Sequence, residues 1–457
     1  MNNILDIIKA RLNEEWIIGY DSEQFYQLTQ NYVEQFTQLK KNINNPKIVL
    51  VETNCLDFLA SFLASVVTEC HVFLCDGKWQ EKEWEEVLKL IKPHLIIGLN
   101  IDYAVKNYQC NLQLPDKNLI MIPTGGTSGN IRFAIHTWET LIASVQGFTK
   151  FFEVQQINSF CILPLHHVSG LMQFIRSFST QGKIIIYPYH SLKENRLPSL
   201  SFTDFFISLV PTQLQTILTL NPNFLSQFKT ILLGGAPAWD SLLKTAKNYN
   251  LNLSPTYGMT ETASQIVTLK PDDFLLKYNS VGNVLPHAQV ILAQKKVVKI
   301  KAKSLYFGYY PNYEIKQSLI TDDLGYFDQE NYLYILGRNS QKIITGGENV
   351  FPKEIENIIL ETNLVQDIAI IGVADKKWGE AVTAIYVAKN EKIDINIIKD
   401  AIKNKLSPVK QPKDWIAVDQ LPRNQQGKLN YKILQKIILS VTKKQELKLV
   451  LAPGTIS

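Results

Sequence analysis

A chain of 457 residues is too long for one ordinary hydrophobic core and points to two or more domains. Hydrophobic residues make up 46% and charged residues 19%, too little charge for a disordered chain. The net charge of +5 is spread along the whole length and forms no basic stripe, which argues against nucleic acid as a partner.

Residues 1–45 read as helical, with apolar residues at mixed three and four spacing. From "KIVLVETN" onward, short β-branched runs alternate with helical stretches: "HVFLCD", "LIIGLN", "NLIMIPT", "SFCILPL", "KIIIYP", "FFISLVP" and "TILLGGAP". That alternation predicts layered α/β structure with largely parallel sheets and turn residues clustered at the strand ends, where such sheets bind ligands. After residue 270, "AQVILAQKKVVKIKAKSLYFGYY" alternates apolar with polar residues and predicts a small antiparallel β-section. "YLYILGRNSQKIITGGENVFPKEIENIIL" then gives a hairpin, a glycine pair and a helix. "DIAIIGVADKKWGEAVTAIYVAK" gives strand, turn and strand, followed by a basic helix and the loop "LPRNQQGKLNY". The expected fold class is therefore α/β. A large N-terminal domain (1–338) of layered mixed and parallel sheets with helices plus a small β-section precedes a small α+β C-terminal cap (339–457). The tail "LAPGTIS" is expected to be disordered.

The five cysteines (Cys55, Cys70, Cys75, Cys110 and Cys161) show no metal spacing and read as buried thiols in a reducing compartment. "MNNILDIIKARLNEEW" has no signal-peptide core, and no apolar run reaches about 18 residues, so no transmembrane segment is expected and the default location is cytoplasmic. Nothing in the sequence sets an oligomeric state.

The segment "PTGGTSGNIR" (123–132) packs three glycines and three hydroxyl-bearing residues behind an apolar run. Neither a Walker A motif nor G-x-G-x-x-G is present. Thr124, Gly125, Gly126, Thr127, Ser128 and Gly129 could still wrap amides and hydroxyls around an anion, with Arg132 as a permanent charge. The alternative is a glycine-rich surface turn. "SPTYGMTETASQ" (254–265) sets Glu261 among hydroxyls, a donor set suited to Mg²⁺ beside ATP phosphates. "LLGGAP" (232–237) lets a flat ring approach the backbone, and "TDDLGYFD" (321–328) offers Asp322 and Asp323 to the paired hydroxyls of a ribose. Taken singly, each segment reads as a turn.

Together and in order, "PTGGTSG", "LPLHHVSG", "GGAP", "YGMTETASQ", "TDDLG", "GRNSQKIITGGENVFPKEIE" and "PRNQQGKL" resemble the superfamily of acyl-CoA synthetases, peptide-synthetase adenylation domains and luciferases. The resemblance implies ATP, Mg²⁺ and coenzyme A as cofactor and co-substrates, and a mobile cap with its hinge near residue 340. It implies that the loop 124–129 holds the β- and γ-phosphates, and that Gly235, Ala236 and Pro237 line adenine. Tyr257, followed by Gly258, would stack on it. By the same resemblance Thr260 touches the α-phosphate, Glu261 binds the metal, and Asp323 with Arg338 holds the ribose. Lys428 is the lysine inserted during adenylation, His167 the gate between acyl pocket and thiol tunnel, Ser340 the hinge, and Gly346 with Gly347 lies on the tunnel strand. Where the family commonly continues its phosphate loop with Pro-Lys-Gly, this chain has Ile131, Arg132 and Phe133, which keeps the charge but changes its geometry.

"LPLHHVSGLMQFIRSF" with "YGMTETASQ" is most similar to the o-succinylbenzoate–CoA ligases of menaquinone and phylloquinone biosynthesis. Such a substrate keeps a second carboxylate on its ring and needs a cation in the pocket. Arg176 matches an arginine of some of these ligases and reads equally as a surface arginine; it lies nine residues beyond His167, two and a half helical turns on. Ser264 and Gln265 add hydrogen-bonding groups. The alternatives are a CoA ligase for another aromatic or medium-chain carboxylic acid, and a carrier-loading adenylating enzyme.

Overall fold

In the computed structural model, residues 4–99, 114–125, 131–194, 196, 198, 200–277, 279–375, 377–390, 393–423 and 429–450 are described. The described residues build four sheets. The first contains β1 (Lys47–Val51), β2 (His71–Cys75), β3 (Leu95–Ile97), β4 (Ile120–Gly125) and β5 (Ile131–His136) in the order β3-β1-β2-β4-β5. All neighbours are parallel except the β4–β5 hairpin. The second contains β6 (Asn158–Cys161), β7 (Ile184–Ile186), β8 (Phe205–Leu209), β9 (Thr230–Leu233), β10 (Leu253–Met259), β11 (Ser264–Thr268) and β12 (Asn283–Val284). Its order is β12-β11-β10-β9-β8-β6-β7, with a parallel centre and an antiparallel β10–β11–β12 edge.

These strands are continuous apolar runs because both faces are covered. Ile48, Leu50, Val72, Leu74, Ile120 and Ile122 point into a core shared with helices Cys55–Val67 and Val168–Ser179 and with Cys161 and Ile184 of the second sheet. Val49, Phe73, Met121, Phe133 and Ile135 form a separate core on the opposite face of the first sheet, and Phe160, Ile207 and Leu209 another on the far face of the second.

The helical segment expected over 1–45 is present as two helices with a break between them. Helices Ile4–Lys9 and Ser22–Asn42 flank a segment in which Gly19 takes φ +87° and Ile17 bridges Ile184 of β7. The break lets Trp16, fully buried, reach the second layer, where its ring meets Phe25 edge-on at 5.5 Å and packs on Phe174 and Phe178 at 6.3 and 6.0 Å. Asp21 then caps the second helix by accepting from the amides of Glu23 and Gln24.

The small β-section is a third, antiparallel sheet of β13 (Ala288–Leu292), β14 (Val297–Ala302), β15 (Leu319–Phe327) and β16 (Leu333–Arg338). The expected alternation stops at Ala302. "SLYFGYY" leaves the sheet and folds back as a loop whose Tyr309 bridges Ala134 of β5, because Leu305, Tyr306 and Tyr310 are buried rather than alternating with solvent.

The fourth sheet holds β17 (Ile343–Thr345), β18 (Glu348–Val350), β19 (Val365–Asp375), β20 (Gly379–Ala388) and β21 (Asp414–Ala417), in the order β18-β17-β20-β19 with β21 on β20. It has its own core of Ile343, Ile355, Ile359, Ile370, Val382, Ile398 and Ile402. Helix Ile395–Ile402 balances Lys399 with Asp400, so the expected basic character lies beyond it, at Lys403 and Lys405. Of the cysteines, Cys70, Cys75 and Cys161 are buried as expected. Cys55 is only partly so, its thiol donating to the Tyr20 hydroxyl at 3.0 Å, and Cys110 lies outside the described residues, as does the tail 451–457. Among the described residues, no helix is long and apolar enough to cross a membrane.

Replacing Trp16 by alanine should empty the ring cluster that joins the first helices to the second sheet. We expect a loss of about 3–5 kcal/mol, read as a shift of the urea midpoint with an unchanged slope.

Candidate active site

The β10–β11 hairpin organises the site. Its strands close so tightly that a Cβ on Gly258 would lie 2.2 Å from the Ser264 carbonyl oxygen, and the register slips between Tyr257 and Gly258. Between them, Thr260–Thr262 form one 3₁₀ turn. The Thr262 hydroxyl accepts from the Met259 amide at 3.0 Å and donates to the Ser264 carbonyl at 2.7 Å. Ala263 and Ser264 both take positive φ, +53° and +112°. The turn is also held from the first sheet. Fully buried His136 donates from Nε2 to the Thr260 carbonyl at 2.8 Å, with Nδ1 3.0 Å from the Thr140 hydroxyl. Burial pushes His136 down to about 4, so the ring is neutral at physiological pH and one nitrogen stays a donor.

Three clusters hang on this hairpin. In the first, Glu261 accepts from the Tyr309 hydroxyl at 2.5 Å, and its carbonyl accepts from the Tyr306 amide at 3.0 Å. The Arg132 guanidinium lies over the Tyr309 ring at 4.3 Å, so arginine and carboxylate face one tyrosine. Burial, reinforced by Glu261, pushes the Tyr309 phenol well above its ordinary value and keeps it a donor. Arg132 pairs with Thr124 across β4–β5, and Gly125 with Ile131, so both strands end at the glycine segment. Gly126, Thr127, Ser128 and Gly129 lie outside the described residues.

In the second cluster the Tyr257 hydroxyl donates to Asp323 at 2.7 Å, and Arg338 Nε stands 3.3 Å from the other carboxylate oxygen. Asp323 and Arg338 are direct partners in the β15–β16 register. Burial, then Asp323, drives the Tyr257 phenol far above its usual range. β9 runs parallel beside β10, so Gly235 (φ +81°), Ala236 and Pro237 leave its carboxyl end next to the start of the hairpin.

The third cluster bears on a residue with two readings. Arg176 is not a surface residue: it is 3% exposed, and its Nη2 donates to Ser264 Oγ and Gln265 Oε1, both at 2.8 Å. Its guanidinium rests 4.4 Å above the Phe148 ring. Burial pulls Arg176 down to about 9, which leaves it cationic at neutral pH.

His167 stands at the N-cap of helix Val168–Ser179, its ring 4.2 Å from that of His166. Residue His166, buried, is gripped by Glu52, which accepts from its amide at 2.9 Å and from Nδ1 at 2.6 Å. Asp76 Oδ2 lies 3.6 Å from Nε2 on the other side. Glu52 and Asp76 directly follow β1 and β2, so these carboxylates come from the carboxyl ends of neighbouring strands.

The remaining residues lie on the later elements. The Ser340 amide donates to Asp322 at 3.1 Å, and its hydroxyl bonds the same carboxylate. Gly346 and Gly347 make the β17–β18 turn with φ +57° and +82°, and the Gly346 amide donates to Trp378. Lys428 lies outside the described residues. Arg423 and Leu429, on either side of it, form an antiparallel bridge, and Arg423 grips Asp367 with two bonds of 2.8 Å.

Residues 102–300 match the AMP-binding enzyme family model, and 354–428 match its C-terminal domain. A 2-succinylbenzoate–CoA ligase of Listeria innocua is 34% identical over 316 residues, 67% of each chain. One from Bacillus subtilis is 28% identical over 378 residues, 78% of this chain and 76% of that one. Among solved structures, an o-succinylbenzoate CoA synthetase of Bacillus subtilis with an acyl-adenylate intermediate superposes with a TM-score of 0.78. It is 22% identical over 95% of this chain and 98% of that one, a likeness of fold.

Burial favours the neutral form of Glu52, but the His166 ring and backbone amides outweigh it and hold the carboxyl below its ordinary range. Its contribution to stability is therefore full above the unfolded value and vanishes as pH falls through the lowered folded value. Glu52→Gln should cost about 1–2 kcal/mol at neutral pH, with the difference closing in acid. Melting temperature against pH for both proteins checks this.

Proposed function

The chain belongs to the AMP-binding enzyme family, and on that footing we propose an AMP-forming acid–thiol ligase. It adenylates o-succinylbenzoate and passes the acyl group to coenzyme A, giving o-succinylbenzoyl-CoA, AMP and pyrophosphate. The observation that carries the substrate is Arg176, a buried cation held by Ser264 and Gln265 on the hairpin that also bears Thr260 and Glu261. A monocarboxylic fatty acid has no use for such a charge; an acid with a second carboxylate does.

We assign the groups as follows. The substrate carboxylate attacks the α-phosphorus of ATP while pyrophosphate leaves, so negative charge gathers at one point and catalysis is mainly positioning and charge stabilisation. Thr260, with its carbonyl anchored by His136, places its amide and hydroxyl at that phosphate. Thr124, Gly125 and the segment that follows hold the outer phosphates, with Arg132 steadied on Tyr309. Glu261 has the donor chemistry for Mg²⁺, and Tyr309 already orients its carboxylate. When bound, that ion supplies charge neutralisation on the phosphates. Tyr257, Gly258 and Gly235–Pro237 receive adenine, and Asp323 takes the ribose hydroxyls while Arg338 balances its charge.

Residues 1–338 supply this half of the site, and residues 339–457 act as a cap that turns at Ser340 between the half-reactions. Lys428 serves adenylation; His167, Gly346 and Gly347 serve thiol entry. We place the reaction in the cytoplasm, in keeping with the cysteine usage.

Two measurements test the reading. Pyrophosphate release over a panel of acids should be greatest with o-succinylbenzoate; turnover of benzoates or fatty acids in its place would sink the substrate assignment. Lys428→Ala should lower adenylation by at least about a hundredfold while sparing thioesterification of a supplied acyl-adenylate. Equal loss of both would contradict the turning cap.

A further inference from the structure

His287, in the turn leading into β13, has no part in the assignments above. Its ring lies against helix Trp138–Phe152 at Gly147, where an added Cβ would sit 1.8 Å from His287 Nδ1. Phe148, the next residue of that helix, carries the Arg176 guanidinium on its face. Imidazole and guanidinium thus stand on adjacent residues of one helix, close enough for the cation's field to reach the ring.

The neighbourhood is rich in unmade hydrogen bonds. Among the described residues, both ring nitrogens of His287 lack a partner, as do Arg176 Nε and Gln265 Nε2, and all are shut off from solvent. Ser144, one turn before Gly147 on the same helix face, has an unpartnered hydroxyl too. Buried groups of this kind are normally paired. Arg176 is also a buried cation that donates to the neutral oxygens of Ser264 and Gln265. Several orphaned polar groups around an unbalanced positive charge describe a site for an anion with two acceptor oxygens.

We infer that His287 and Arg176 form one subsite for the carboxylate that stays on the substrate, with Gly147 kept small so that the imidazole can lie beside the guanidinium. The inference rests on the ligase reading above and adds a recognition residue to it. Arg176 Nε and one imidazole N–H donate to the two carboxylate oxygens. In the free site, burial and then Arg176 hold His287 down at about 4, so the ring is neutral. Among the described residues, Arg176 is the one charge that acts on the ring: the helix meets it at Gly147, and Lys303 meets His287 only through its amide, which donates to the His287 carbonyl at 3.2 Å, with its side chain exposed. A bound carboxylate opposes both effects and raises the ring's proton affinity, so binding draws in protons and tightens as pH falls.

The test compares o-succinylbenzoate with 4-oxo-4-phenylbutanoate, the same acid without the ring carboxylate, in wild type, His287→Leu, His287→Gln and Gly147→Ala. His287→Leu should raise KM for the diacid roughly tenfold with kcat little changed, and move KM for the monoacid far less. Gly147→Ala, by pushing the ring aside, should act alike. His287→Gln should recover part of the diacid affinity but lose its strengthening between about pH 8 and pH 5.5. Equal KM shifts for both acids, or a fall in melting temperature with KM unmoved, would overturn the inference and leave the ligase assignment standing. Failure of the wild type to turn over either acid would defeat both.

Discussion

Everything at the site depends on how closely β10 approaches β11. A side chain at residue 258 would collide with backbone, not with a side chain that could rotate away, so the hairpin closes only around glycine. That closure sets where the side chains of the hairpin point. Tyr257 faces the third sheet and Asp323, Thr260 and Glu261 occupy the turn, and Ser264 and Gln265 face helix Val168–Ser179 and Arg176. One hairpin therefore carries contacts toward what we assign as nucleotide, metal and acyl group, and their mutual spacing is a matter of backbone register rather than of loop conformation.

The hairpin is braced from outside by groups that are themselves polar and buried. His136 reaches the Thr260 carbonyl from the first sheet, and the loop carrying Tyr306 and Tyr309 reaches Glu261 from beyond the third. Glu52 does the same for the start of helix Val168–Ser179 through His166. Each brace joins parts of the chain separated by many residues, so the site is assembled where the sheets meet.

This explains what was legible in the sequence. The strand runs stood out because a doubly covered sheet demands uninterrupted apolar residues. Tyr257, Glu261, Asp323 and Arg338 stood out because they sit in turn-rich segments whose order resembles a family. The braces left no such trace. His136 is a single polar residue at the end of an apolar strand, and its partner lies 124 residues away. Glu52 and His166 are 114 residues apart, and Tyr309 belongs to a segment whose alternation mimics a strand. Residue spacing reports local periodicity, and these contacts are made by topology alone. Arg176 shows the same limit: helical spacing sets it two and a half turns beyond His167, but only the packed layers decide that it is buried.

The two aspartates of "TDD" illustrate what strand geometry imposes on function. Successive side chains of β15 emerge on opposite faces. Asp323 is therefore turned inward to Tyr257 and Arg338, while Asp322 is turned outward to grip Ser340, where the chain leaves the third sheet for the fourth. One peptide bond thus separates the inward carboxylate from the tether of everything C-terminal. The strand works as a two-sided plate, and any slip of a single residue along β16 would exchange the two duties at once.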